Sequence, residues 1–321
     1  MGSYLPINKC SNEHLSNFVD TSDEWISKRS GIKNRHFVTD NEKTSDMSFF
    51  AANKAIENAE ISKKDIDLIV LATTTPDNTF PSTATLVQKK LEINAVSFDI
   101  QAVCAGFVFA LSVAKSMMTE GNYKNCLVIG ADSMSKLLDW NDRSTSVLFG
   151  DGAGAVILQK FENTECKYDD WGILSNVIHS DGQFYDLLKT NGGVSTNQKV
   201  GFIEMEGKEV FKHAVDKLSS SLEEALIASN KNIDELDYLV PHQANQRIIL
   251  ALADRMKIDL SKVVSTVKDH GNTSAASIPL ALENAINSNK ILNGNLIGIQ
   301  AIGGGLSWGA SIIRIGKPKN L

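Results

Sequence analysis

Short apolar runs alternate along the chain with segments in which apolar residues recur at helical spacing. Continuous apolar runs are typical of strands that are buried on both faces. They predict strands at 68–71, 96–100, 126–129, 153–158, 238–240, 263–267, 296–299 and 311–315. The helical spacing predicts helices at 47–59, 83–91, 106–120, 210–229, 244–256 and 275–287. The alternation of strands and helices predicts an α/β fold with layered sheets.

The order of these segments is repeated in the second part of the chain. Similar segments follow one another in the same order: "DIDLIVLATTTP" and "ELDYLVPHQAN", "VSFDIQAVCAGF" and "VVSTVKDHGNTSAAS", "NCLVIGADS" and "NLIGIQAIGGG", "GAGAVIL" and "WGASIIRI". An ordered set of this kind indicates an internal duplication. The two halves are predicted to span residues 1–165 and 166–321, with the polar segment "FENTECKYDDW" at the seam.

The composition excludes several classes of protein. The 321 residues are 42% hydrophobic and 22% charged, as expected for a globular protein with a large core. A net charge of −6 argues against a general nucleic-acid surface. No apolar run is long enough to predict a membrane span, and the N-terminus lacks the pattern of a secretory signal.

Cysteine usage indicates the compartment. Cys10, Cys104, Cys126 and Cys166 form no C-x-x-C pair, which argues against a zinc site or a dithiol redox site. Nothing else marks the chain as secreted, so reduced thiols in a cytoplasmic enzyme are favoured over two disulfides.

Cys104 stands between a predicted strand and a predicted helix, in "AVCAGFVFALSVA". At a helix N-terminus the helix dipole and the exposed N–H groups favour a thiolate. Gly106 allows a tight turn with room for a substrate. Cys104 is therefore a candidate nucleophile, although the local sequence leaves open a buried cysteine that acts as a small apolar residue.

Two further polar residues lie at predicted strand ends in the second half. His242, in "LVPHQANQRII", follows a strand that Pro241 ends. It is a candidate functional residue because the polar residues Gln243, Asn245 and Arg247 follow it at the same strand end. Alternatively, His242 could simply cap the next helix. Asn272, in "KDHGNTSAASIP", is by itself typical of a turn and gains weight because it falls opposite Cys104 in the repeat. We assign the nearby His270 a structural role.

The segment "AIGGGLSWGA" predicts a glycine-rich turn after a strand. It lacks both the GxGxxG spacing and the lysine of a P-loop, so it gives little support for nucleotide phosphate binding. Successive glycines can instead bring backbone N–H groups to a developing oxyanion.

Several motifs together resemble the β-ketoacyl-acyl-carrier-protein synthase III family. They are "CAGF" at Cys104, "PHQANQRI" at His242, "HGNTSAASIP" at Asn272, "VDTSDEWISKRSGIKNRH", "FGDGAGA" and the closing "GGGLSWGA". The resemblance covers nearly the whole chain with the expected spacing. It implies the thiolase fold, with five layers of helix and sheet (αβαβα) built from two related halves.

The resemblance also implies catalytic roles. Cys104 would accept an acyl group from acyl-coenzyme A, with acetyl-coenzyme A as the expected primer. His242 and Asn272 would bind the malonyl thioester carbonyl during decarboxylation, and the N–H groups of Cys104 and Gly304 would form the oxyanion hole. The product would be a β-ketoacyl thioester on the acyl carrier protein, as in the first condensation of fatty acid synthesis. No metal or other cofactor is implied.

The implied binding residues fall into three groups. Coenzyme A and its pantetheine arm are assigned Thr21, Trp25, Arg29, Arg143, Gly207, Phe211, Ala244 and Asn245. The acidic carrier protein is assigned Gln243, Arg247, Arg255 and Lys257. Phe80 matches a residue that reaches the acyl pocket of a neighbouring subunit, so a homodimer is implied. Neither nucleic acid nor membrane is an expected partner.

Two features depart from the family pattern. Family members usually begin with a short strand before "GSYLP", whereas this chain begins with Met1-Gly2-Ser3, so we expect an incomplete sheet edge. Lys208 follows Gly207 where an asparagine is common, which we expect to alter contacts along the substrate channel.

Competing functions share the fold or the first step. One is another Cys-His-Asn condensing enzyme, either a polyketide starter enzyme or an acyltransferase to oxygen or nitrogen. The other is a non-catalytic protein with the thiolase fold, which the intact set of Cys104, His242 and Asn272 disfavours. Asn272 also argues against elongating synthases, which have a second histidine, and against thiolases, which have a second cysteine.

Overall fold

Strands and helices alternate through the computed structural model, which describes residues 1–161 and 170–316. The strands are β1 (Gly2–Tyr4), β2 (Asn8–Ser11), β3 (Asn34–Phe37), β4 (Leu68–Ala72), β5 (Val96–Ile100), β6 (Asn125–Ser133), β7 (Asp151–Gln159), β8 (Gly172–Ser180), β9 (Leu188–Thr190), β10 (Ile203–Met205), β11 (Tyr238–Pro241), β12 (Leu296–Gly303) and β13 (Ser307–Arg314). The helices are α1 (Asn12–Leu15), α2 (Asp23–Ser30), α3 (Thr44–Asn58), α4 (Thr83–Leu91), α5 (Gly106–Glu120), α6 (Arg143–Ser146), α7 (Gly207–Ala228), α8 (Gln246–Met256), α9 (Val267–His270) and α10 (Ser277–Asn287).

Two large sheets have matching strand orders. The first is β1-β7-β6-β4-β5 and the second, read from the same edge, is β8-β13-β12-β11. β4 runs parallel to β6, while β6 and β1 both run antiparallel to β7. In the second sheet β11 runs parallel to β12, while β12 and β8 both run antiparallel to β13. The repeated pairing agrees with the predicted duplication. The predicted boundary at 165/166 and Cys166 lie outside the described residues.

The two sheets and three helical layers make the predicted five-layered arrangement. Helices α5 and α10 lie between the sheets and pack against apolar side chains of both. Helices α3 and α4 cover the outer face of the first sheet, and α7 and α8 cover that of the second. Strand β4 shows why its sequence is apolar throughout. Leu68 and Val70 face the central helices, whereas Ile69 and Leu71 face the outer ones, so both faces are buried.

The central helix is unusually apolar. Among the described residues, Val103–Glu120 is the one helical segment whose length and composition alone would suffice to cross a membrane, with a mean hydropathy of 1.3. Half of it is buried, and Phe107, Val108 and Leu111 contribute to the core between the sheets. Its apolar character is therefore explained by packing on two faces.

Two predictions about strands need correction. The apolar run 263–267 is not a strand: only Val263 pairs with β11, through Leu239, and α9 begins at Val267. The reason is that the buried Gln243 side chain accepts hydrogen bonds from the N–H groups of Thr266 and Val267, which removes them from a sheet ladder. The edge expected to be incomplete is occupied by β1, which pairs with β7.

Candidate active site

Cys104 lies in a tight 3₁₀ turn, Val103–Ala105, between β5 and α5. Val103 has φ +49°, a left-handed conformation that is unfavourable for a β-branched residue and is typically held in place at functional sites. Gly106 begins α5 where space is limited: a Cβ there would lie 3.0 Å from the Ala72 Cβ and 3.3 Å from the Ala275 Cβ. The sequence therefore folds a buried cysteine, 4% exposed, into a constrained turn at a helix N-terminus.

The second half contains the same turn. Ser274 has φ +50° and begins the 3₁₀ turn Ser274–Ala276, which leads into α10. The two turns pack against each other: a Cβ on Gly106, which directly follows the first turn, would lie 3.3 Å from the Ala275 Cβ. Aligned on the left-handed residues, Cys104 corresponds to Ala275, so the predicted equivalence with the 270–274 turn is out of register.

His242 follows β11 and is held at both its backbone and its ring. Its N–H donates to the Gln300 carbonyl oxygen at 2.8 Å, and its Nδ1 lies 2.6 Å from the Ser277 Oγ. That hydroxyl also accepts the N–H of Gln243 at 3.3 Å. We assign its hydrogen to Nδ1, which places the ring hydrogen on Nε2. Burial lowers the pKa of His242 to about 3, so near neutral pH Nε2–H belongs to a neutral imidazole and can act as a donor.

Asn272 is fixed by backbone hydrogen bonds. Its N–H donates to Leu148 O at 2.9 Å, and its carbonyl oxygen accepts the Gly150 N–H at 3.0 Å. Its Oδ1 accepts the Ser274 N–H at 2.9 Å. The Nδ2 amide group has no hydrogen-bond partner in the described part of the chain, so it is available as a second donor.

Residues 272–277 connect the three predicted catalytic residues. Asn272 belongs to this segment, Ser277 holds His242, and the Ser274 hydroxyl neighbours the Cys104 thiol. Burial raises the pKa of that thiol to about 12, and the nearby Ser274 hydroxyl acts in the opposite direction. The thiolate expected from the helix dipole is therefore not the resting form, because desolvation outweighs the dipole in a site closed to solvent.

The glycine-rich turn packs directly on the nucleophile's backbone. A Cβ on Gly303 would lie 2.7 Å from the Cys104 nitrogen, and one on Gly304 would lie 2.6 Å from the Leu188 oxygen. These close approaches explain the need for glycine. The Gly304 N–H has no backbone acceptor among the described residues, and its place in an oxyanion hole stays a prediction.

The residues predicted to bind the nucleotide end of coenzyme A lie together on the surface. The Arg29 and Arg143 guanidinium carbons lie 4.3 and 5.0 Å from the Trp25 ring centroid. Arg143 also donates to the Asp20 carbonyl oxygen at 3.0 Å. Thr21 follows Asp20, and its buried hydroxyl oxygen has no hydrogen-bond partner in the residues described. These side chains form a cationic and aromatic patch.

The predicted channel residues lie at the N-terminal ends of two helices. Gly207 begins α7, and Phe211, one turn later, faces the Arg247 guanidinium at 5.8 Å. Asn245 caps α8 by accepting the Ile248 N–H at 3.0 Å, and Ala244 is half-buried beside it. Lys208, the departure from the family pattern, is exposed. A Cβ on Gly31 would lie 2.5 Å from the Gln246 Cβ, so the end of α2, the Trp25 helix, is adjacent to α8.

One predicted carrier-protein residue needs correction. Gln243 is 1% exposed, donates to the Pro241 and Val264 carbonyl oxygens, and accepts the N–H groups of Thr266 and Val267. No part of its side chain remains for a docked protein, so its role is structural. Arg247, Arg255 and Lys257 are all exposed on α8 or at its end.

Phe80 lies in the loop before α4 and is 83% exposed. It does not contribute to the site of its own chain. Strand β5 forms the adjacent edge of the first sheet, and within the described residues it pairs with β4 alone. An apolar side chain and an open sheet edge therefore occur in the same region of the surface.

Three polar residues near the site were not predicted as functional: Ser274, Ser277 and Asp132. Ser277 contacts His242 across 35 positions, so no local sequence pattern indicates its role. Asp132 offered a signal that was overlooked, because an acidic residue inside the apolar strand "CLVIGADS" must be compensated when buried. No cluster of metal-ligating side chains occurs within residues 1–161 and 170–316.

Comparison with known proteins identifies the family. Residues 98–182 match the model of 3-oxoacyl-(acyl-carrier-protein) synthase III, and residues 226–315 match that of its C-terminal part. A β-ketoacyl-(acyl-carrier-protein) synthase III from Ehrlichia canis is 53% identical over 316 residues, which covers 98% of each chain.

Two solved structures have the same fold. The 3-oxoacyl-(acyl-carrier-protein) synthase III of Aquifex aeolicus is 44% identical with a TM-score of 0.90, covering 98% of both chains. The priming β-ketosynthase of the R1128 polyketide pathway is 34% identical with a TM-score of 0.89, covering 97% of this chain and 94% of its own. The five layers and these likenesses define a thiolase-fold acyltransferase of the condensing type. Within that class, the chain belongs to the 3-oxoacyl-(acyl-carrier-protein) synthase III family.

Proposed function

We propose that this enzyme carries out the first condensation of fatty acid synthesis, joining an acyl group from acyl-coenzyme A to malonyl-acyl carrier protein. The observation that supports this most directly is the meeting of Cys104, His242 and Asn272 around the segment 272–277. A thiol and two neutral hydrogen-bond donors are what the two half-reactions need.

In the first half-reaction the Cys104 sulfur attacks the acyl thioester carbon. The sulfur–carbon bond to Cys104 forms, the bond to coenzyme A breaks, and the thiol hydrogen leaves with the coenzyme A sulfur. The N–H groups of Cys104 and Gly304 would stabilise the oxyanion formed on the way. Because burial raises the pKa of this thiol to about 12, the sulfur would enter the reaction as the protonated thiol.

In the second half-reaction malonyl-carrier protein loses carbon dioxide, and the electron pair remains as a thioester enolate. His242 Nε2–H and the Asn272 amide would donate to the enolate oxygen. The enolate carbon attacks the acyl-cysteine, the Cys104 sulfur leaves, and a proton from solvent restores the thiol. This scheme contains no redox step, and protein hydrogen-bond donors would stabilise both the oxyanion and the enolate oxygen, so it needs neither a redox cofactor nor a metal.

The cationic and aromatic patch around Trp25 is the proposed site for the coenzyme A nucleotide. A planar base can stack on the Trp25 ring, while Arg29 and Arg143 can neutralise phosphates. Arg143 already lies 5.0 Å from the ring centroid, so stacking between the two requires Arg143 to move outward. The channel towards Cys104 would pass Gly207, Phe211, Ala244 and Asn245.

Arg247, Arg255 and Lys257 form the proposed docking surface for the acidic carrier protein. Arg247 is exposed, and no carboxylate lies within ion-pair distance of it in the described chain. Arg255 is partly compensated by Asp216, with Nη2 3.5 Å from Oδ1. Arg247 is therefore expected to contribute most to docking.

We also propose a homodimer located in the cytoplasm, where coenzyme A and carrier-protein substrates meet. The open edge of β5 and the exposed Phe80 support a second copy on this side, because exposed sheet edges and large apolar side chains favour association. Sedimentation of the purified chain at two concentrations tests the oligomeric state. A monomer at micromolar concentration would contradict the dimer.

The proposed activity is tested by mass spectrometry of a two-substrate reaction. Acetyl-coenzyme A should acylate Cys104, and malonyl-carrier protein should then yield the β-ketoacyl-carrier protein and carbon dioxide. The likeness to the priming β-ketosynthase of a polyketide pathway makes the priming of polyketide synthesis the second candidate function. A panel of acyl-coenzyme A primers distinguishes the two, and acylation without condensation on any primer would contradict both.

A further inference from the structure

A fully buried carboxylate lies behind the nucleophile at the junction of the two halves. Asp132, on β6, is 0% exposed. Its Oδ1 accepts hydrogen bonds from the Thr74 N–H at 2.7 Å and from the hydroxyls of Thr73 and Thr75, each at 3.2 Å. Its Oδ2 accepts the Ala275 N–H at 3.1 Å. One side chain thus connects the end of β4 in the first half with the 3₁₀ turn of the second.

The contacts are those of an ionised group. The two backbone N–H groups can only donate. The Thr73 hydroxyl already accepts the Thr75 N–H at 3.1 Å, and the Thr75 hydroxyl accepts the Ser133 N–H at 2.8 Å, which leaves their own hydrogens for the carboxylate. Burial raises the pKa of Asp132, and these hydrogen bonds act in the opposite direction. A buried anion in this setting is costly to leave unpaired.

The carboxylate acts on the candidate donors through one short segment. Ala275 follows Ser274, whose N–H holds Asn272 Oδ1 at 2.9 Å. Ala275 also precedes Ser277 by two positions, and Ser277 holds the His242 ring at 2.6 Å. The direct contact of Asp132 therefore lies between the two residues that orient Asn272 and His242.

We propose that Asp132 is a positioning residue: its carboxylate pins the Ser274–Ala276 turn against the Cys104 turn and thereby orients the Asn272 and His242 donors. This proposal rests on the proposed function because it takes the Asn272 and His242 donors to serve the decarboxylative half-reaction. Asp132 touches no reacting atom and acts through Ala275.

The variant Asp132→Asn keeps the shape and removes one acceptor. If the side-chain oxygen of the introduced asparagine keeps its three hydrogen bonds from residues 73–75, its NH₂ group must face the Ala275 N–H. Both of these groups are donors, so no hydrogen bond can form between them. The turn should then shift by a fraction of an ångström to an ångström. We expect condensation by pre-acylated enzyme to fall about 100-fold, whereas acylation of Cys104 falls by less than about tenfold. Equal losses in both half-reactions, or no loss in either, would overturn the proposal.

Asp67→Asn is the matched control. Asp67 lies at the opposite end of the same strand pair and accepts the N–H groups of Lys124 and Asn125 at 2.7 and 3.1 Å. It therefore makes the same type of carboxylate-to-backbone contact without reaching the site. It is expected to lower stability while leaving the ratio of the two half-reaction rates at the wild-type value.

A substrate-independent readout separates this proposal from the proposed function. The Asp132 charge opposes ionisation of the Cys104 thiol, so Asp132→Asn should shift the pH profile of iodoacetamide alkylation at Cys104 to lower pH. An unchanged profile counts against the proposal even if malonyl-carrier protein proves not to be the substrate. Should Asp132→Asn not fold, Thr73→Val removes one donor to the carboxylate. It should lower condensation several-fold more than acylation, and equal effects on both would again overturn the proposal.

Discussion

The two halves of this molecule build the same turn and give it different chemistry. Val103 and Ser274 both adopt φ near +50° and both begin a 3₁₀ turn that leads into a central helix. In the first half the next residue is the thiol of Cys104, whereas in the second it is the methyl group of Ala275. Duplication thus supplies a constrained backbone twice, and single side chains decide which half attacks and which half supplies hydrogen-bond donors.

This division explains why the polar residues of the second half are so extensively bonded. Acylation needs a sulfur and two backbone N–H groups, which are assigned to Cys104 in the first half and to Gly304 in the second. The second half must orient two neutral donor side chains in a site that is closed to solvent. The Ser277 hydroxyl orients the His242 ring, and the Ser274 N–H orients the Asn272 side chain through its Oδ1. The division of labour between the halves can therefore be tested one half at a time.

The largest effect is expected from removing the nucleophile of the first half. Cys104→Ala should abolish acyl-enzyme formation and condensation, because no other group lies at the oxyanion hole to form the thioester. Intact-protein mass spectrometry after mixing with acetyl-coenzyme A measures it. Cys126→Ala is the control, since Cys126 is buried within β6 and its loss should leave acylation intact. Labelling of the Cys104→Ala protein would remove the assigned nucleophile.

Removing a donor from the second half should separate the two steps. His242→Ala should leave acylation of Cys104 within a few-fold and lower condensation about 100- to 1,000-fold, as for loss of one oxyanion donor. Single-turnover assays of each half-reaction give the two rates. His242→Gln restores an amide donor and should recover part of the loss. Normal product formation by His242→Ala would show that His242 is not a required hydrogen-bond donor in condensation.

A smaller effect is expected where the two substrates approach. Arg247→Glu should raise KM for malonyl-carrier protein about tenfold, or about 1.4 kcal/mol of binding free energy. The rate of acylation by acyl-coenzyme A should change little. Arg255→Glu should have a weaker effect, because Asp216 already partly compensates Arg255. Equal changes for both substrates, or a larger effect at Arg255, would contradict the docking assignment.

The sequence predicts the parts of this site that follow from local pattern. Cys104 and His242 could be found because each interrupts an apolar run at a strand end, and the long buried strands and helices could be found for the same reason. The run 263–267 was misassigned because the Gln243 side chain, about twenty positions earlier, holds its N–H groups. The contacts of Asp132 and Ser277 join residues far apart in sequence, and no local propensity encodes them. Burial of the Cys104 thiol likewise depends on how the halves pack.

The smallest expected effect concerns the acid sensitivity that two buried histidines of the second half contribute. Burial lowers the pKa of His242 to about 3 and that of His270 to about 4, against about 6.5 in an unfolded chain. Between these values the unfolded state binds protons that the folded state does not, so the contribution of these two histidines to stability falls as pH falls below about 6.5.

His242 alone should cost on the order of 2 kcal/mol of unfolding free energy between pH 7 and pH 5. Urea unfolding of wild type and His242→Gln at these two pH values measures it. The variant should lose less stability on acidification, because His270 remains in both proteins and cancels in the comparison. The same low pKa predicts a condensation rate without a His242 inflection between pH 6 and 8. Equal acid sensitivity of the two proteins would mean that His242 is not held as a neutral donor, and the second half would then need another group to stabilise the enolate.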